Sequence, residues 1–336
     1  MRKCAILRLD AIGDFVLWLD AAEALISYEL NKEAEVFLFC KPVNALIAEK
    51  YLTVYKSITV VPISSSLREI DSYLNIKFDV LYQCSFNNTQ FIDSIAKAFN
   101  CDNKFSMRKS GNIYSEIVIC ENEWQHEYLK NIRFTEYIIG ESIEIPIHNR
   151  KKDKGGYITF SPFASMYQRS LDPVKCEQLI EYCLENTELK CYLLGEQVEK
   201  VKIDEMINHI KSNRCINMAG KTTVLEYTDI IESSSLVIGN DSSCIHIAAY
   251  CGVPSFCICG GQHWGKFIPY DESLNDYFIL PYYVDHYMGC FKCDFNRKKK
   301  SFRCLTSKFR RKRFPCIDDI DVGELFFELE KCIQSL

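Results

Sequence analysis

The stretch LRLDAIGD, Leu7 to Asp14, sets an arginine, two aspartates and a glycine directly behind the apolar run KCAILRL, which reads as a strand. A carboxylate where a strand ends and a helix begins stays ionised, because the free N–H groups of the first helical turn favour negative charge. Asp14 in that position suits a general base taking a proton from a substrate hydroxyl. Gly13 permits close backbone approach or a positive φ, and Arg8 with Gly13 would face the acceptor. Capping its own helix is the alternative role for Asp14. A second constellation is GNDSSCIH, Gly239 to His246, again at a strand end. There Asp241, the hydroxyls of Ser242 and Ser243, helix N–H groups and His246 converge as a diphosphate requires. The competing reading of His246 is a satisfied core histidine. A third loop, SPFASMYQRSLDP, offers Ser165 and Arg169. Arg169 would neutralise charge on a departing phosphate, or else stand as a solvated loop arginine.

A fourth group is cysteinic: Cys290-x-x-Cys293, then Cys304 and Cys316. Four thiolates at such spacing suit a structural Zn or Fe site; reduced thiols or a disulfide pair are the alternatives. Residues Arg297 to Phe314 hold ten Lys or Arg and no acid in a chain of net charge −5, so the remainder of the molecule is strongly acidic. The basic run suits an anionic glycolipid or membrane surface, with 297–314 as a peripheral contact. A nucleic-acid-binding finger is the competing class, but only Phe302, Phe309 and Phe314 interleave as aromatics and no established finger pattern is present. No nucleic-acid partner is expected.

These residues need elements to position them. KCAILRL, AEVFLFC, SITVVP and FDVLYQC read as strands, with helical segments after Gly13, Pro42, Ser66 and Asn88. Around Gly140–Gly156 periodicity gives way to charge, one proline and paired glycines, the composition of a linker. The rhythm restarts with YITFSP, a helix after Pro173, LKCYLLG, a helix through Lys200, and LVIGNDSSCIHIAAYCGVPSFCICGG. In that last segment Ser242 or Ser243 is the N-cap, Gly252 the C′ stop, and Pro254 blocks continuation. The expected fold is α/β with two Rossmann-like domains facing across a cleft, 1–145 and 155–336, the second with a Cys-rich basic segment at 289–317; the family resemblance named below implies that the first binds acceptor and the second nucleotide sugar. At 336 residues two domains are the default.

The eighteen cysteines are scattered mostly through apolar segments of a large chain, which argues against a disulfide scaffold. MRKCAILRLD meets Arg8 and Asp10 before any signal-length apolar core, and no later run approaches a membrane span, so a cytoplasmic protein is expected. The first strand lacks a glycine-rich dinucleotide fingerprint, which weakens a nicotinamide reading.

Taken in order, LRLDAIGD, SPFAS…R, the block GKTT…GNDSSCIHIAAYCGVP and the terminal cysteine segment resemble the bacterial heptosyltransferase family, glycosyltransferase family 9. The resemblance implies a GT-B fold and inverting, metal-independent sugar transfer. The expected reaction moves heptose from an ADP-linked donor to a lipopolysaccharide-core or related acceptor at the inner membrane. It makes Asp14 the base and Ser165 and Arg169 the diphosphate ligands. Asp241, Ser242, Ser243 and His246 become the donor grip, Glu196 the ribose carboxylate, and Thr222 a neighbour of the adenine. The family more often has Lys at Arg169, Gly at Ser243, and Pro or Leu at Cys244. Alternatives are a sugar-nucleotide epimerase of similar architecture, an inactive relative, or a non-enzymatic nucleic-acid or anionic-glycan binder. Catalysis itself would need no cofactor.

Overall fold

The computed structural model describes residues 1–85, 90–108, 110–118, 124–148, 155–293, 304, 313–334 and 336. It divides into two compact units, Met1–Pro146 and Ile147–Leu336. Residues 147 and 148 already belong to the second unit, ahead of the 155 at which the sequence reading begins it. The His148 ring stacks on Phe278 and lies against Tyr250, and its N–H donates to the Tyr277 carbonyl.

Unit 1 is a six-stranded parallel sheet built on β1 (Lys3–Arg8), β2 (Glu35–Cys40), β3 (Thr59–Pro62), β5 (Val80–Gln83), β7 (Lys104–Ser106) and β8 (Glu116–Ile117), in the order β3-β2-β1-β5-β7-β8. The short β4 (Lys77–Phe78) and β6 (Asn100–Cys101) pair separately. FDVLYQC, expected as one strand, is therefore divided. Asp79 breaks it by exchanging bonds with Lys3, taking the Lys3 N–H on its carboxylate and donating its own N–H to the Lys3 carbonyl. The helices are α1 (Ile12–Val16), α2 (Leu19–Asn31), α3 (Pro42–Tyr51), α4 (Gln90–Ala98) and α5 (Glu127–Ile139). Proline at the first position of α3 fits because its missing N–H would be unpaired there anyway. The segment after Ser66 is a 3-10 helix rather than an α-helix.

Unit 2 repeats the plan with β9 (Tyr157–Ser161), β10 (Lys190–Leu193), β11 (Cys215–Asn217), β12 (Leu236–Asn240), β13 (Ser255–Cys259) and β14 (Tyr282–Asp285), parallel in the order β11-β10-β9-β12-β13-β14. Its helices are α6 (Pro173–Asn186), α7 (Lys200–Ile210), α8 (Val224–Glu232), α9 (Ser243–Tyr250), α10 (Pro315–Asp318) and α11 (Val322–Gln334). Strands β9, β12 and β13 are buried over most of their length, as a sheet covered on both faces requires. Gly252 follows α9 with φ +69°, ending the helix before Pro254 and β13.

In each unit the chain builds outward from its first strand and then returns to that strand's other side. The crossover reverses between β1 and β5, and between β9 and β12. Ligand crevices of open parallel sheets form at such reversals, beyond the carboxyl ends of the strands. Leu9–Asp14 follows β1, Pro162–Arg169 follows β9, and Asp241–His246 follows β12.

Candidate functional site

The edge of unit 1 is organised around a buried cation. Arg8 is 0% exposed. Its Nη2 donates to the Asp14 carbonyl at 2.7 Å, its Nη1 to Asn131 Oδ1 at 3.1 Å and to the Cys84 carbonyl, and its Nε faces Asp10 Oδ2 at 3.1 Å. The guanidinium lies 5.6 Å from the Trp18 ring centroid. Arg8 therefore clamps the loop from inside the fold, which corrects the expectation that it faces an acceptor. Asn131 also donates to the Leu17 carbonyl at 3.0 Å, so α5 holds both ends of α1. Asp10 is buried too; desolvation raises its pKa against the opposing pull of Arg8.

Gly13 is the buried second residue of α1 and not a left-handed turn, because the helix opens at Ile12, earlier than its sequence suggests. The N-cap is Ala11, which makes no side-chain cap bond; Asp14 sits one step inside the first turn, half-buried. Pure N-capping is thus not its position. What the first turn offers is a carboxylate close to unpaired helix N–H groups, with its main chain fixed by Arg8.

In unit 2, Arg169 closes the 3-10 turn Tyr167–Arg169, and its Nη2 reaches Asp241 Oδ2 at 3.0 Å and the Asp241 carbonyl at 2.5 Å. Its Nε has no protein partner. Asp241 Oδ1 is 3.8 Å from His246 Nε2, and His246 Nδ1 is 3.0 Å from the Tyr270 hydroxyl. With the ring proton on Nε2 toward the carboxylate, Nδ1 accepts from Tyr270. Burial lowers the His246 pKa to about 4, the Asp241 charge opposing and the Arg169 charge reinforcing the shift. The imidazole is therefore neutral at physiological pH, a hydrogen-bonding group rather than a cation. Asn240 aligns the two loops: its Nδ2 donates to the Pro162 carbonyl at 3.0 Å and its Oδ1 accepts from the Leu171 N–H at 3.0 Å.

Arg169, Asp241 and His246 thus meet, and Ser165 is exposed on the Arg169 loop. Ser242 is the N-cap of α9, with its Oγ 3.3 Å from Cys244 Sγ, and Ser243 Oγ lies 3.4 Å from the Tyr227 hydroxyl. Glu196 is exposed after β10, and Thr222 is half-buried just before α8. Their loops are tied by the Gly220 N–H donating to the Gly195 carbonyl at 3.0 Å, where Gly220 has φ +68° and a Cβ would strike Gln197. Tyr270, Asn240 and Asn131 were not singled out from the sequence. Each works through partners more than twenty residues away, so only the neighbouring strand-end motifs hint at them.

Cys290, Cys293, Cys304 and Cys316 line one cavity of about 290 Å³, counting the open space at its mouth, together with Gly261, Gln262, Phe291 and Phe314. Burial pushes the Cys316 thiol up to about 12, and the Cys304, Cys293 and Cys290 thiols act on it in the same direction. As placed, no three His, Cys, Asp or Glu side chains among the described residues are grouped to hold an ion directly. Phe314, Cys316 and Ile317 belong to the unit 2 core, so the end of this segment is better anchored than its sequence suggests. Most of the basic run 297–314, with Phe302 and Phe309, lies outside the described residues. Among the described residues no helix is long and apolar enough to cross a membrane.

Two Rossmann-like units, each a parallel sheet with its crossover reversal, are the architecture of the GT-B fold. Residues 141–282 match the glycosyltransferase family 9 (heptosyltransferase) model. A family 9 glycosyl transferase from Veillonella parvula has the same fold at 13% identity and TM-score 0.68, over 100% of this chain and 98% of that one. The E. coli ADP-heptose lps heptosyltransferase II matches at 12% identity and TM-score 0.66, over 100% and 99%. The iron-containing dodecameric glycosyltransferase TibC of enterotoxigenic E. coli matches at 12% identity and TM-score 0.58, over 99% of this chain and 76% of that one. No curated protein matches. Most of the second unit thus matches the family 9 (heptosyltransferase) model, and the whole chain shares the fold of these solved transferases.

Proposed function

We propose that the protein transfers a heptose from an ADP-linked donor, with inversion, to a lipopolysaccharide-core or related glycan. The observation that carries this reading is the Arg169–Asp241–His246–Tyr270 constellation at the reversal between β9 and β12, inside the family-matched segment. Asp241 fixes Nη2 of the guanidinium and leaves Nη1 for a diphosphate oxygen. Neutral His246, its Nδ1 taken by Tyr270, offers its Nε2–H to a sugar or phosphate oxygen without adding charge. Ser165, Ser242 and Ser243 supply hydroxyls, and the N-terminus of α9 supplies its dipole. Glu196 takes the ribose and Thr222 lies beside the base. Asp14 removes the proton of the acceptor hydroxyl, which attacks the anomeric carbon in line as the diphosphate leaves. Arg169 and Ser165 stabilise the departing charge.

The donor chemistry of the four-cysteine cavity, though not the spacing of its thiols as placed, suits a structural Zn or Fe ion. Its donor set is all thiol, and Gly261 forms a cradle in which a Cβ would strike the Phe291 ring. Lys292, inside the Cys290–Cys293 turn, adopts φ +63° and donates its N–H to the Gly261 carbonyl at 2.7 Å, pinning that turn. Such an ion would hold Cys290, Cys293, Cys304 and Cys316 and supply folding energy, not a catalytic step. The basic run 297–314 suits an anionic acceptor at the cytoplasmic face of a membrane. Incubation with a panel of nucleotide sugars tests the donor. Slow hydrolysis and thermal stabilisation by ADP-heptose, above UDP- and GDP-sugars, are expected, and a preference for another nucleotide overturns the ADP assignment.

A further inference from the structure

The cysteine cavity and the donor constellation share one segment of chain. Gly260–Tyr270 leaves β13 at the sheet edge. At its start Gly261 and Gln262 line the thiol cavity together with Cys316, and the Trp264 ring lies 5.3 Å from Phe291. At its end Phe267 packs 5.8 Å from the His246 ring, and Tyr270 bonds His246 Nδ1. Gln262 is 2% exposed, yet neither Nε2 nor Oε1 has a hydrogen-bond partner. A buried carboxamide with no partner is costly and calls for a group that completes it. Its place on the cavity wall puts its N–H donors within the compartment where thiolate sulfurs, the acceptors it lacks, would gather around an ion. Gly260 keeps that side chain in position, since a Cβ there would collide with Gln262 Oε1 at 2.4 Å.

We propose that the thiolate cage is coupled to the donor site through Gly260–Tyr270, with Gln262 as the positioning residue: its amide donates to a metal-bound thiolate and so fixes the segment that carries Tyr270 to His246. The inference rests on reading the cage as a metal site and the second unit as the donor half. Hydrogen bonds to metal-bound sulfur hold ligand geometry and alter the electronic properties of the metal–thiolate bond. A rigid segment with a fixed end presents its other end at lower entropic cost to a ligand.

The test uses the full chain. Elemental analysis after purification without chelator reads the metal directly, with about one Zn or Fe per chain expected. ADP is then titrated calorimetrically into the loaded protein, the stripped protein and Gln262→Met. Stripping is expected to weaken ADP about tenfold, within the usual range of site-to-site coupling. Gln262→Met is expected to keep its metal, lose most of the same tenfold, and shift the thiolate-to-metal absorption of Co²⁺-substituted protein. Metal near zero overturns the metal reading and the coupling with it. A loaded cage with equal ADP affinity before and after stripping overturns the coupling alone. Unchanged ADP affinity and absorption in Gln262→Met remove Gln262 as the link, even if stripping unfolds the protein.

Discussion

The two crossover edges share a topology and use their arginines in opposite ways. Arg8 of unit 1 is wholly enclosed and spends its donors on Asn131 and the carbonyls of Cys84 and Asp14, with its Nε against Asp10. Arg169 of unit 2 is partly open and is held through Nη2 alone, on the Asp241 carboxylate and carbonyl. In the first unit a cation is consumed to shape a loop that carries the half-buried Asp14, the proposed base. In the second, the cation is itself the presented group, and a carboxylate is consumed to aim it. The same residue type thus works as scaffold or as ligand, according to how many of its donors the fold has already satisfied.

The largest expected effect separates these roles at the chemical step. Asp14→Asn should lower transfer by about 10² to 10⁴ while leaving ADP affinity within about twofold, since a base acts on the acceptor. Steady-state kinetics with paired calorimetry checks this, and near-normal turnover would return Asp14 to a structural role. Next, Arg8→Leu should cost about 3–5 kcal/mol of unfolding free energy, because it strands buried Asp10 and several carbonyls. Arg169→Leu should cost about 1 kcal/mol or less, since its site is partly open to solvent. Equal losses in urea titrations would erase the contrast. Arg169→Ala should weaken ADP roughly 10- to 100-fold and Arg169→Lys less, a Lys keeping charge without the fork that Asp241 aims.

The last effect is pH-linked. The folded pKa of His246 lies near 4, below the 6.5 of a free imidazole, so the unfolded chain binds the extra proton. This group's contribution is fully present above about pH 6.5 and is lost as pH falls toward 4, by at most about 3 kcal/mol. His246→Asn should flatten that part of the stability profile; an unchanged slope in chemical denaturation between pH 4 and 6.5 would contradict the buried neutral imidazole.

Much of this was legible in local pattern. KCAILRL, AEVFLFC and the segment from Leu236 to Cys259 announce their elements because burial on both faces of a parallel strand leaves an apolar run, and because Gly252 and Pro254 punctuate the helix between. Asp241 and His246 lie five residues apart, so their joint place at one strand end follows from sequence distance. The 3-10 helix after Ser66 and the break at Asp79 were less legible, since a capping box and an edge hydrogen bond look like ordinary helix and strand residues in a one-dimensional reading.

By itself the sequence determined the alternation of elements and the motifs at their junctions, because periodicity and turn chemistry act over a few residues. Tertiary structure alone decided that Arg8 is spent on Asn131, that Tyr270 completes His246, and that Cys290, Cys293, Cys304 and Cys316 share a wall with Gln262. Those contacts join residues separated by as many as 123 positions, and they exist only once sheet order has brought distant strand ends together. Local propensity carries no information about that order; burial of the whole sheet does.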